Sequence, residues 1–397
     1  MEVKVATTLV EEIPQLDSML ASCREIAEDS DFATAKHWLE EHPQKKAIGC
    51  FPIYCPVELI HASGMLPLGI IGAGNQIEIT HADSRFQSFV CSIVKSTLEL
   101  GLTDRLKFLD GMLFHSICDP TRNLASVFQR NFPGLFVEYI HFPQNFASPL
   151  GRKYLETEYR RLLNRLQERS GYSPTPADLN RSISLYNRIR CALREIYRIR
   201  TETPHLLSAA ESFVLVRAGT LMAPEDFLQI LEKVLAEIPG RAARPKDRIR
   251  VVLEGSFCEL PPLGLIETVE QAGCYIVEDD FLRGWRWFTE DVPIQENPLA
   301  ALAESYSERA YYSGTKHDSR ETKAAHLIRL CKEKKANAVI FQAAKFCEPA
   351  LFDYALYRKA LEAANIPHLL LEFEEKTWSF DRARSEAETF VESLLFD

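Results

Sequence analysis

The chain has 397 residues, of which 46% are hydrophobic and 26% are charged, and its formal net charge is −10. This length exceeds what one hydrophobic core normally organises, so we expect two or three structural units. The composition argues against long disordered regions. The negative charge gives no electrostatic reason to expect a nucleic acid or an anionic membrane as a partner.

No apolar run approaches the roughly 20 residues that span a bilayer, and residues 1–12 carry acids where a signal peptide needs a cationic start. The expected location is therefore the cytoplasm. In a reducing compartment the ten cysteines are expected to be buried hydrophobes, metal ligands or redox groups rather than disulfides. None forms a Cys-x-x-Cys pair, so a metal site has to be assembled from distant segments.

The hydrophobic pattern changes along the chain and divides it into four segments. Residues 1–45 show helical spacing, and residues 149–245 show long helical periodicity with frequent Arg and Glu. Residues 46–148 and 246–397 alternate short apolar strands with helices, which is typical of parallel sheets covered on both faces. We therefore predict an α/β fold with two doubly wound, Rossmann-like parallel-sheet units, joined by a helical segment and preceded by a short N-terminal helical region.

The predicted elements are as follows in chain order. Helices are expected at 11–28, 33–41, 57–63, 89–100, 120–129, 154–169, 176–200, 223–238, 263–272, 323–334 and 350–363. Strands are expected at 66–71, 109–115, 135–141, 249–253, 274–278, 338–342 and 368–372. The stretch GRAARPKDR, residues 240–248, is interpreted as a linker.

One signature occurs three times: an apolar strand, a short polar turn, a cysteine followed by an acid, and then a proline that opens a helix. The three copies are DGMLFHSICDP, RVVLEGSFCELP and NAVIFQAAKFCEP. They place Cys118, Cys258 and Cys347 at the C-terminal ends of strands. Ligands bind at this edge of open α/β sheets, and a helix N-terminus favours the thiolate form of a cysteine.

A single cysteine is more often a small buried apolar residue than a ligand. Matching contexts in two separate units favour a chemical role for Cys118 and Cys347. Cys258 is the weaker candidate, because the bulky Phe257 occupies its turn and a leucine precedes its proline. Cys91 heads the amphipathic stretch CSIVKSTLELG and so also lies near a helix start. Three cysteines from separate segments are the minimum that anchors a [4Fe–4S] cluster with one open iron, and their spacing alone makes such a cluster possible.

Other chemistries have little support in the sequence. There is no phosphate-binding loop of the G-x-x-x-x-G-K-[ST] type, no G-x-S-x-G elbow and no H-E-x-x-H helix, and GIIGAGNQ is interpreted as a tight turn. Glu58 and Glu259 are candidate proton relays, and no catalytic acid or base is assigned. Four scattered histidines are expected to be structural: His61, His81, His115 and His141.

Five stretches occur in order along the chain: FPIYCPVELIHASGMLPLGI, CSIVKSTLELGL, LDGMLFHSICDPTRNL, GSFCELPPLGLIETVEQAGCYIVEDDF and VIFQAAKFCEPALFDY. Together they resemble the cluster-bearing subunits of ATP-dependent (class I) benzoyl-CoA reductases, within the wider family of 2-hydroxyacyl-CoA dehydratases. Among these subunits the resemblance is to the type designated C. The resemblance implies that Cys91, Cys118 and Cys347 bind a [4Fe–4S] cluster, and it leaves out Cys258 and Cys55.

The resemblance also implies a heterodimer of two related subunits, each with one [4Fe–4S] cluster. Two further subunits would hydrolyse ATP, share another [4Fe–4S] cluster and pass on electrons from reduced ferredoxin. The implied reaction is the two-electron, dearomatising reduction of benzoyl-CoA, or a substituted analogue, to a cyclic dienoyl-CoA in anaerobic aromatic degradation. Three alternatives stay open: a 2-hydroxyacyl-CoA dehydratase subunit, an electron-relay or structural subunit whose partner holds the acyl-CoA substrate, and a binding protein that has lost its metal.

Overall fold

The structure is a computed structural model that describes residues 15–145, 148–255, 258–286, 288–310, 321–374 and 377–396. Its strands are β1 Ala47–Phe51, β2 Leu66–Gly69, β3 Gly111–His115, β4 Phe136–Ile140, β5 Ile249–Glu254, β6 Cys274–Asp279, β7 Ala338–Ala344 and β8 His368–Phe373. Its helices are α1 Gln15–Glu28, α2 Ala33–Glu41, α3 Val57–Ala62, α4 Ser92–Leu102, α5 Asp119–Asn131, α6 Pro149–Ser170, α7 Pro176–Glu202, α8 Ala209–Gly219, α9 Pro224–Glu237, α10 Leu263–Gln271, α11 Arg283–Arg286, α12 Pro298–Glu308, α13 Lys323–Glu333, α14 Glu348–Ala363 and α15 Asp381–Phe396. Within the described ranges, no helix has the length and apolar character needed to cross a membrane.

The strands form two four-stranded sheets with the same topology. The first has the order β2-β1-β3-β4 and the second the order β6-β5-β7-β8, and neighbouring strands run parallel throughout. In each sheet the winding direction reverses beside the first strand, between β1 and β3 and between β5 and β7. Such a reversal leaves a crevice at the carboxyl ends of the strands. The predicted α/β fold with two Rossmann-like units is confirmed.

The core covers both faces of the first sheet. Successive residues of β3 point to opposite faces, so Met112 and Phe114 pack in one hydrophobic cluster and Leu113 packs in another. All residues of β1, β3 and β7 are buried. Burial on both faces is why β3 and β7 read as continuous apolar runs in the sequence.

The hydrophobic pattern of the sequence does not predict some of the helices and strands. The helices α8 and α12 are buried along most of their length, so they lack the polar face that gives a helix its amphipathic period. The strand β1 and the helix α15 are likewise not located by it. The predicted first helix begins at 11, outside the described residues, and the observed helix begins at Gln15. The four segment boundaries stay a prediction.

Buried charges connect the helical segment to the second sheet. Asp279, at the end of β6, pairs with Arg200 of α7 at 2.6 Å, and both side chains are almost completely inaccessible. The Tyr197 hydroxyl donates a hydrogen bond to Asp279 at 3.0 Å. Removing one partner from a buried pair of this kind costs about 3–5 kcal/mol. A further contact links the two α/β units. The Trp285 indole N–H donates a hydrogen bond to the Pro52 carbonyl oxygen at 3.3 Å, so the segment after β6 contacts the loop after β1.

Candidate metal centre

Three cysteines occupy the N-cap positions of three helices. Cys91 precedes α4, Cys118 precedes α5 and Cys347 precedes α14. Cys118 lies three residues beyond the end of β3, and Cys347 lies three residues beyond the end of β7. The structure thus places Cys118 and Cys347 where the sequence signature predicts them, at equivalent points of the two sheets, and Cys91 at the predicted helix start.

The first turn of each of these helices affects the pKa of the cysteine that precedes it. Burial raises the thiol pKa overall, and the backbone N–H three residues further along offsets part of this rise, although no side-chain cap hydrogen bond forms. The pairs are Cys91 with Val94, Cys118 with Thr121 and Cys347 with Ala350. The Thr121 hydroxyl also lies 3.2 Å from the Cys118 sulfur. These groups favour the charged form of the sulfur, as expected at a helix N-terminus.

The three sulfurs lie within electrostatic range of one another and of Cys258. Burial is the largest cause that raises the pKa of Cys91, and the charges of Glu259, Cys347 and Cys118 raise it further. Burial likewise raises the pKa of Cys347 to about 12, with Glu259 and Cys118 adding to the effect. The site therefore combines side chains from both α/β units.

Cys258 is the member of this group that sequence reasoning ranked low. Burial raises its pKa far above the usual range, and the charges of Cys118, Cys347 and Cys91 add to that effect. The sequence signal that pointed to Cys258 was its own copy of the strand-end signature. Phe257, which argued against it, lies outside the described residues.

A hydrogen bond joins the segments that carry two of these cysteines. The Ser92 hydroxyl, next to Cys91, donates to a carboxylate oxygen of Glu259, next to Cys258. Ser92 and Glu259 are both buried. The N-terminus of α4 and the loop after β5 are therefore held together by a buried polar contact.

The electrostatics of the site argue against reactive thiols. Reactive cysteines need a lowered pKa, whereas the pKa of all four thiols is raised, and no basic side chain is among the main causes acting on them. A bound metal reverses this balance, because a coordinating thiol loses its proton outright. Within the described ranges no three Cys, His, Asp or Glu side chains are placed to hold a single metal ion. A cluster of several irons takes its cysteines on different iron atoms, and thiolates are the donors it prefers.

Glu58, the other candidate proton relay, is held in a buried ion pair. Glu58 is completely buried and pairs with the guanidinium of Arg190, which lies over the Phe288 ring at 4.6 Å from its centroid. Among the histidines, burial lowers the pKa of His115 to about 3, so its ring stays neutral. Of the two acids proposed as proton relays, only Glu259 contacts the cysteine site.

A comparison with protein families decides where the chain belongs. The profile of the family described as 2-hydroxyglutaryl-CoA dehydratase, D-component, matches residues 52–394. The chain is a member of this D-component family.

The relatives of the chain are subunits of acyl-CoA enzymes. The chain is 38% identical to the C-type subunit of benzoyl-CoA reductase from Thauera aromatica, over 95% of this chain and 98% of that one. It is 30% identical to the beta subunit of (R)-2-hydroxyglutaryl-CoA dehydratase from Acidaminococcus fermentans, over 88% and 93%. It is 27% identical to the beta subunit of (R)-phenyllactyl-CoA dehydratase from Clostridium sporogenes, over 95% and 99%. The predicted resemblance is confirmed, and this D-component protein is a subunit of an enzyme.

The contact between Ser92 and Glu259 is testable by a double-mutant cycle. We expect Ser92→Ala and Glu259→Ala to show a coupling of about 1–3 kcal/mol in the free energy of unfolding, because either single change already removes the buried hydrogen bond between them. Denaturant unfolding of the four proteins measures it. The matched control combines Ser92→Ala with Glu232→Ala, which removes an exposed carboxylate on α9, and this pair should be additive. Additive effects for Ser92 and Glu259 would contradict the described contact.

Proposed function

We propose that this chain is the [4Fe–4S]-carrying subunit of an ATP-dependent aromatic acyl-CoA reductase, with Cys91, Cys118 and Cys347 as cluster ligands. The observation that supports the proposal is the set of three N-cap cysteines from two α/β units, which lie within electrostatic range of one another and whose thiol pKa values are all raised. Only a cationic group makes such a set of sulfurs stable as thiolates. When bound, the cluster supplies one-electron transfer at low potential.

The side chains around the sulfurs have identifiable tasks. The N–H groups in the first turns of α4, α5 and α14 stabilise charge on the ligand sulfurs, and hydrogen bonds to the sulfurs of a cluster tune its potential. The Thr121 hydroxyl adds such a contact at Cys118. Cys91 is only 7% exposed, whereas Cys118 and Cys347 are partly exposed, so water is excluded from the Cys91 side of the site.

The substrate class follows from the relatives. Identity to the benzoyl-CoA reductase subunit is 38%, against 26–30% for the beta subunits of three acyl-CoA dehydratases. We therefore assign the reaction as the two-electron, dearomatising reduction of benzoyl-CoA, or a substituted analogue, to a cyclic dienoyl-CoA. The electrons would reach the chain from ferredoxin through ATP-hydrolysing subunits that carry a further [4Fe–4S] cluster.

The surface beside Cys347 supports a companion subunit. Phe346 precedes this cysteine and is 39% exposed, while Phe352 and Leu356, four residues apart on α14, are 73% and 63% exposed. Of the side chains on α14, only Ala350 and Leu361 are buried. An apolar helix face next to a metal site is suited to a protein partner, and the homologous cluster-carrying subunit is the one we propose.

A dehydratase subunit is the second candidate, since the matching family profile and three relatives carry that name. Elimination of water is redox-neutral, so a dehydratase recycles its electron, whereas a reductase consumes two per product. We expect the complete enzyme to hydrolyse ATP and oxidise reductant in proportion to the benzoyl-CoA converted, as measured anaerobically. Conversion of a 2-hydroxyacyl-CoA with only catalytic amounts of ATP and reductant would establish the dehydratase instead.

The ligand assignment predicts the metal content of variants. Cys91→Ser, Cys118→Ser and Cys347→Ser should each remove most of one cluster per chain, because a hydroxyl is a poor replacement for a thiolate on iron. Iron and acid-labile sulfide analysis of anaerobically purified protein measures the loss. Cys191→Ser changes an exposed cysteine on α7 and should leave the content unchanged. Full cluster content in all three site variants would overturn the assignment.

A further inference from the structure

We propose that a cavity at the carboxyl end of β2 binds an organic monocarboxylate, and that Arg217 of α8 is the residue that recognises it. The cavity has a volume of about 90 Å³ and lies between the end of α1, α4, α8 and the loop before α10. Its described wall includes none of the cysteines. The site thus goes beyond the proposed function and does not depend on the cluster ligands.

Arg217 is the exception among the buried arginines of the described ranges. It is 7% exposed, and the other four are Arg190, Arg200, Arg283 and Arg286. Each of those four pairs with a carboxylate. No carboxylate among the described residues pairs with Arg217, and burial lowers its pKa to about 10. A buried charge without a counter-charge is costly, so this guanidinium points to an anion that binds beside it.

Contacts at one nitrogen fix the orientation of the guanidinium. Arg217 Nη1 donates hydrogen bonds to the Gly69 carbonyl oxygen at 2.8 Å and to the Thr220 hydroxyl oxygen at 3.0 Å. Gly69 is the last residue of β2, so the side chain is held at the strand end. Nε and Nη2 have no acceptor among the described residues, and neither atom is sealed from solvent. Their N–H groups are therefore available to a ligand in the cavity.

A glycine-rich turn forms one wall of the cavity. This wall is residues 71–76, within the stretch GIIGAGNQ, and the Gln76 N–H donates a hydrogen bond to the Ala73 carbonyl oxygen at 2.9 Å. Gly72 has a φ of +73°, and a Cβ added there would lie 2.2 Å from the Ser96 hydroxyl oxygen on α4. Only glycine allows the turn to lie so close to α4 in this conformation. The stretch interpreted as a tight turn thus has a structural role in shaping the cavity.

The other charges in the wall limit the ligand to a single negative charge. Glu28, Asp29 and Glu259 also line the cavity. Each already has a donor: Glu28 pairs with Arg24 at 3.4 Å, Asp29 accepts two backbone N–H groups at the start of α2, and Glu259 accepts a buried hydrogen bond. These three carboxylates would repel a dianion such as phosphate. A monocarboxylate matches the planar fork of Arg217 and adds the least repulsion.

The remaining wall is suited to the apolar body of such a ligand. Phe32, Ile93, Phe213 and Leu263 line the cavity, and all four are buried hydrophobic residues. A cavity needs about 10–15 Å³ to hold one water, so this one has room for a ligand with several non-hydrogen atoms. A carboxylate attached to an aliphatic or aromatic group therefore fits both the guanidinium and these side chains. Benzoate is a simple probe of this class.

The test measures benzoate binding to the complete, anaerobically purified enzyme by isothermal titration calorimetry. Arg217→Met should weaken binding at least about tenfold relative to the wild type, because a charge-assisted pair is lost. Arg217→Lys keeps the charge without the fork, so its affinity should lie between those two. Arg188→Met is the matched control, since it removes an exposed arginine of α7, and it should bind as the wild type does. Equal affinity of the wild type and Arg217→Met would overturn the proposal.

Other probes test the class of ligand and the place where it binds. Benzamide has the shape of benzoate without its charge, and phosphate has more charge without the apolar body, so neither should bind in the cavity. Binding of either one there as tightly as benzoate would contradict the monocarboxylate assignment. Crystals of the wild-type enzyme with 4-bromobenzoate should show an anomalous bromine peak in the cavity, a result that requires no variant to fold. A peak only elsewhere, or a side-chain carboxylate of the enzyme already bound to Arg217, would overturn the site.

Discussion

The cost of ionising closely placed thiols away from water is the constraint on which this site depends. Four cysteines from distant parts of the chain lie within electrostatic range, burial raises the pKa of each, and a neighbouring carboxylate, Glu259, raises the pKa of Cys91, Cys258 and Cys347 further. Against this, the first turns of three helices give the sulfurs only partial stabilisation as thiolates. The proposed cationic cluster would remove this cost, because thiolates bound to it replace the thiol protons by bonds to iron.

The fold supplies the geometry for this convergence. Each parallel sheet presents the carboxyl ends of its central strands at one edge, and the same strand order is used twice. Equivalent loops, after β3 and after β7, therefore carry equivalent cysteines. The helical segment between the units contributes the buried pair of Arg200 with Asp279, so the second sheet is held against α7 by an interaction that is costly to break. A rigid frame of this kind suits electron transfer, which needs fixed distances and little rearrangement.

Local pattern was sufficient to predict much of the architecture. β3 and β7 are continuous apolar runs, and a cysteine, an acid and a proline after each one mark a strand end and a helix start, so Cys118 and Cys347 could be placed from the sequence alone. The buried α8 and α12 could not be located, because a helix without a polar face has no amphipathic period. The position of Cys258 near the other cysteines could not be predicted for a different reason. It depends on the hydrogen bond between Ser92 and Glu259, which is a contact between segments that no local pattern encodes.

The most direct measurement is an anaerobic crystal structure of the enzyme with anomalous diffraction collected at the iron absorption edge. The account predicts a compact anomalous peak bounded by the sulfurs of Cys91, Cys118 and Cys347, at the joint carboxyl edge of the two sheets. Iron density elsewhere in this chain, or those three sulfurs directed away from one another with no iron between them, would contradict it.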